Sequence, residues 1–194
     1  MKIIYFFLFV VFPFVGFSQE YKIPKIPFDV TSKKGNEYIE LFGLKDTTAL
    51  IVHMGLSRHS VFGLESDYVV YLSNGKVKRY KVSWQTNKVL VRKKKRIRIK
   101  KSKLQKYWEF LNKCIVEGKL PIDKEQLKTT GEKANTLKQA ISGGQTSYLG
   151  FYQGKKQMEY SSFIPSMFIS EEYSGHKEKQ KLVDVMTGFE NLFE

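Results

Sequence analysis

A single cysteine, three histidines and five prolines leave this 194-residue chain short of the side chains that most often declare a chemistry. With Cys114 alone, no internal disulfide can form, so stability has to come from packing. Cys114 falls within an apolar helical stripe and reads as a buried structural thiol. A nucleophilic thiolate would need an electropositive, partly exposed setting. The histidines are His53, His59 and His176. His53 and His59 bracket Met-Gly-Leu-Ser-Arg, with no cysteine nearby and with Glu65 and Asp67 as the next carboxylates. A metal centre needs three or four convergent ligands, so neither a metal nor another cofactor is expected.

Catalytic motifs are missing as well. There is no Gly-x-Ser-x-Gly elbow, and Gly143-Gly144 is not followed by the Gly-Lys-Ser/Thr of a phosphate-binding loop. Ser57 and Ser60 lie near His59 only along the chain, which says nothing about triad geometry. Carboxylate pairs could be drawn from Glu37, Glu40, Glu65 and Asp67, but their separation in space decides their use. No catalytic residue is assigned. Beyond residue 18 no apolar run approaches the roughly 20 residues a membrane-spanning helix needs.

What is present begins with a leader. Met1-Lys2 gives a positive start, Ile3 to Phe17 carries no charge, and Gly16-Phe17-Ser18 places small residues at a cleavage site. Residues 1–18 therefore read as a secretory signal peptide, and the mature chain as starting near Gln19. No cysteine lies near the cleavage point, which argues against a bacterial lipid anchor. The expected compartment is the periplasm or the cell exterior of a bacterium.

The charge is concentrated in one stretch. The chain carries 33 Lys and Arg against 19 Asp and Glu, a net +14. From Tyr68 to Trp108 there are 15 basic residues and no acidic one, while the rest of the mature chain is close to neutral. Arg79, Lys81, Arg92, Lys94, Arg96, Arg98 and Lys100 are the candidate anion-binding residues. Such a surface suits an anionic glycan, lipid headgroups or an acidic protein. Nucleic acid, and the nuclear-signal look of Arg92 to Arg96, fit an exported chain poorly. The competing reading is a solvated face whose lysines keep an edge strand from aggregating.

Hydrophobic periodicity outlines the architecture. Residues 19–36 read as an extended lead-in, and 37–194 as one α+β domain without internal repeat or linker. Glu37–Phe42 and Thr48–Met54 read as strands. Tyr68–Leu72 and Val77–Trp84 flank Ser73-Asn74-Gly75-Lys76, a hairpin whose Asn-Gly suits a type I′ turn. Residues 88–101 fit either one strand or a hairpin turning at Lys93–Lys95. Thr146–Tyr152 and Lys156–Tyr160 form a second hairpin across Gln153-Gly154-Lys155. Leu104, Tyr107, Trp108, Leu111, Cys114 and Ile115 recur at helical spacing, after Ser102 as a cap and before Gly118 and Pro121. Asp123 to Ile141 has weak helical tendency. A last helix carries Leu182, Val185, Met186, Phe189, Leu192 and Phe193 on one face. The expected fold is an antiparallel sheet built from hairpins, with helices at about 103–117 and 177–193 packed on one face.

These readings favour a non-enzymatic exported or envelope-associated binding protein with a basic surface. One alternative is a small exported hydrolase using His53 or His59 with a nearby carboxylate. Another is a structural or protein-interaction subunit of the envelope.

Overall fold

The computed structural model describes residues 21–57, 64–87, 89–128 and 144–194. The expected leader, His59, most of the 123–141 stretch expected to be weakly helical, and Gly143 lie outside them. The architecture is α+β. Seven antiparallel strands, β1 (Val30–Thr31), β2 (Leu50–Ser57), β3 (Leu64–Tyr71), β4 (Val77–Asn87), β5 (Val89–Ile97), β6 (Thr146–Gln153) and β7 (Lys156–Phe163), form one sheet in the order β1-β7-β6-β2-β3-β4-β5. Helices α1 (Lys34–Phe42), α2 (Leu104–Val116), α3 (Lys124–Leu127) and α4 (His176–Phe193) accompany it.

Alternation along the strands sends apolar side chains to both faces. Leu50, Val52, Met54, Val69, Tyr71, Leu149 and Phe151 meet α2 and α4, whose Trp108, Leu111, Cys114, Leu182, Val185 and Phe189 complete the larger core. Both expected long helices thus pack on one face, in edge-to-face contact through Phe110 and Phe189 (ring centroids 4.9 Å apart). The buried aromatics find partners for their polar ends. Tyr71 donates to the Tyr107 carbonyl, Tyr107 to that of Leu192, and the Trp108 indole to that of Gly75, each at 3.0 Å. Burial pushes the Cys114 thiol up to about 11, in keeping with a structural role.

The other face corrects the sequence reading. Glu37–Phe42, expected as a strand, lies in α1, which covers Ile51, Tyr68, Val70, Tyr80 and Val82 through Phe42, Tyr38, Ile39 and Leu41. Gly43 at φ +58 stops α1, with Gly43 N–H on the Glu40 carbonyl and Leu44 N–H on that of Ile39, both 3.0 Å. This pairing closes the orphan carbonyls of the last turn. α1 also begins at Lys34, within the stretch read as lead-in, and Tyr21 before it stacks on Trp108 at 5.5 Å.

Two local details differ too. Asn74 keeps a negative φ, and only Gly75 (+76) is left-handed. The hairpin is therefore closed by Gly75 N–H on Leu72 O and Leu72 N–H on Lys76 O, a type I turn with a glycine bulge. Ser102 does not cap α2; it sits in a 3-10 turn, Lys101–Lys103, and α2 has no side-chain cap. Residues 89–97 form a single strand, paired from Asn87↔Val89 to Arg79↔Ile97, with no turn at Lys93–Lys95.

Candidate functional site

The basic stretch occupies the β4–β5 edge of the sheet, and the register divides it between the two faces. Tyr80 and Val82 point toward α1, so their partners Arg96 and Lys94 lie on that face; Arg92 pairs with Trp84 in the register, and its side chain lies outside what the structure describes. Arg79 and Lys81 lie on the α2/α4 face with Lys95 and Lys93. Arg98 and Lys100 follow the end of β5.

Three of the seven candidate cations are already engaged within the chain. The Arg79 guanidinium donates through Nε and Nη2 to Asp67 Oδ1 at 3.0 and 2.8 Å and through Nη1 to the Phe193 carbonyl at 3.2 Å. It also lies 3.7 Å from the centre of the Phe193 ring. Its side chain is only 12% exposed. Lys94 Nζ donates to the Leu41 carbonyl at 2.6 Å. Arg79 and Lys94 thus serve the C-terminal turns of α4 and α1, where unpaired carbonyls and the negative end of the helix dipole favour cations. Lys81 pairs with Glu65 at 3.2 Å. Arg96, Arg98 and Lys100 are exposed, as are Lys93 and Lys95, which precede them along β5. Among the described residues no carboxylate is paired with these five.

A second constellation lies at the far side of the same face as α1. Across neighbouring strands, Glu159 of β7, Gly150 of β6, His53 of β2 and Tyr68 of β3 stand in one row. Gly150 is required there, because a Cβ would lie 2.5 Å from the Tyr152 hydroxyl that folds over it. The His53 ring stacks on Tyr68 (centroids 4.4 Å apart, planes 4° off parallel), and Tyr38 of α1 stands 4.5 Å from Tyr152. His53, Gly150, Glu159, Tyr38 and Tyr152, with Tyr148, Gln157 and Ser161, line a cavity of about 490 Å³.

The charges in this cavity are tied down. Lys34, in the first turn of α1, donates to Glu159 Oε1 at 2.8 Å, and the Tyr152 hydroxyl donates to the same oxygen at 2.5 Å. Burial works against ionisation of Glu159, but Lys34 and Tyr152 outweigh it and hold the carboxyl below its ordinary value. The hydrogen bond to Glu159 correspondingly raises Lys34. Burial drives His53 down to about 4, against a weaker pull from Glu159, so the ring is neutral at ordinary pH. Its Nε2 and the Gln157 Oε1 are enclosed without a hydrogen-bond partner. Lys124, at the outer rim, pairs with Asp29 at 2.5 Å.

The sequence singled out His53 but not Lys34, Tyr38, Tyr152 or Glu159. One signal was available: a glycine inside a strand often marks a close approach, and Gly150 does. Among the described residues no three His, Cys, Asp or Glu side chains gather as a metal-binding group, and no helix is long and apolar enough to cross a membrane. No protein-family model and no curated protein matches the chain.

Proposed function

We propose that this is an exported, non-enzymatic binding protein whose β5 edge docks on an anionic partner. One observation carries the reading: Lys93, Lys95, Arg96, Arg98 and Lys100 project from an edge strand and its continuation, exposed and without a paired carboxylate among the described residues. A row of unneutralised cations attracts polyanions over several ångströms, and the planar arginine fork adds two-pronged hydrogen bonding to phosphate, sulfate or carboxylate. Binding is favoured over hydrolysis by the surroundings of His53. Its Nε2 is sealed off, and Glu159 is already held by two donors, so neither is poised to exchange a proton with a substrate.

Retention on heparin, on phosphatidylglycerol vesicles and on polyglutamate tests the proposal and separates the glycan, lipid and acidic-protein partners. Replacing Arg96, Arg98 and Lys100 by Gln should lower the eluting salt on at least one of these supports. Equal retention of wild type and variant at low salt, where such attraction is strongest, would refute it.

A further inference from the structure

The cavity between α1 and the β6–β7 hairpin has no part in that reading and presents a different chemistry. Each lysine at its wall is already matched, Lys34 with Glu159 (2.8 Å) and Lys124 with Asp29 (2.5 Å). A charged ligand would have to displace one of these partners, at the cost of stranding the other. What the cavity offers instead is neutral. Tyr148 is a large aromatic left 41% exposed, although it sits on the face where the neighbouring rings are buried. Ser161 is exposed beside it in the register, and Gln157 lies four residues back along β7 on the same face with its amide oxygen unpartnered. Glu159 adds an acceptor and Lys34 a donor at the floor.

We propose that this cavity binds a neutral polyhydroxyl ring, a ligand of the sugar class. A pyranose has an apolar face of C–H groups that lies flat on a tyrosine ring, and an equatorial rim of hydroxyls that both donate and accept. That combination matches an exposed aromatic platform flanked by a serine hydroxyl, an amide and a carboxylate. The unpartnered Gln157 oxygen acquires a donor when its side chain turns toward a ligand hydroxyl, which relieves the penalty of a buried lone acceptor. The volume of about 490 Å³ falls in the range of small-molecule sites and accepts a terminal sugar unit of a longer glycan.

Calorimetric titration of the purified protein with maltoheptaose, cellopentaose and chitopentaose tests this, with heparin as the charged comparator. At least one neutral oligosaccharide should bind, with an affinity unchanged by salt, because no net charge is neutralised. Tyr148→Ala should weaken it by about tenfold or more, as loss of a stacking anchor does. Gln157→Leu should weaken it too, while Arg96→Gln with Arg98→Gln should leave it intact and reduce heparin binding alone. Far-ultraviolet dichroism of each variant guards against loss of fold. No heat with any of the three oligosaccharides at millimolar concentration would overturn the proposal. So would binding that survives Tyr148→Ala.

Discussion

The imidazole of His53 lies against the ring of Tyr68, and burial outweighs the electrostatic pull of the Glu159 carboxylate, lowering the ring to about 4. An unfolded chain takes up the same proton near 6.5, so between these values the unfolded state holds more protons than the folded one. Stability therefore falls as pH drops from about 6.5 toward 4, by on the order of 3 kcal/mol for the full shift. Glu159 adds to the trend, since its folded value is depressed and its contribution is lost as pH falls through it. Urea unfolding at pH 7.5 and 5.0 should show a clear loss for the wild type and a smaller one for His53→Gln. Parallel losses would assign the acid sensitivity elsewhere. At this scale the sequence was only partly legible. His53 stood out as a rare residue, but its neighbours come from α1, β6 and β7, distant along the chain. Spacing in sequence carries no trace of a row that exists only once β2 pairs with β6.

Among the elements, two helices end against the basic hairpin, α1 at Lys94 and α4 at Arg79. Cations that look alike in the sequence should therefore differ in stability when removed. Arg79→Gln strands a part-buried Asp67 and frees the end of α4, for a loss of about 2–4 kcal/mol. Lys94→Gln removes one exposed capping donor, worth about 0.3–1 kcal/mol. Arg96→Gln, which touches neither helix end, should stay within about 0.5 kcal/mol of wild type. Thermal unfolding of the three variants checks this ranking, and equal losses would contradict the capping roles. Legibility at this scale followed length. The stripes of α2 and α4 run long enough for the helical period to be unambiguous. In α1, Tyr38, Ile39, Leu41 and Phe42 fit a short strand as well as a helix, and the outcome is decided by tertiary cover over Ile51 and Tyr68.

For the whole molecule, the charge that read as one surface in the sequence is spread over both faces of a sheet edge by the pairing of β4 with β5. An edge strand presents unpaired backbone groups, and lysines placed there discourage a second chain from adding to it. Replacing Lys93, Lys95 and Arg96 by Thr should therefore promote association, read as a rise in particle size by light scattering at physiological salt. An unchanged size distribution would leave docking as the sole role of these charges. The opposite situation holds at the centre of the sheet. β2 carries Leu50, Ile51 and Val52 with no exposed surface, yet β2 ends at Ser57 and its second partner, β6, begins only at Thr146. While the intervening residues are being made, β2 lacks its second neighbour and is an apolar rim open to mispairing with another strand. Closure waits on the late hairpin, so β2 gains its full cover only once residues 146–153 are in place.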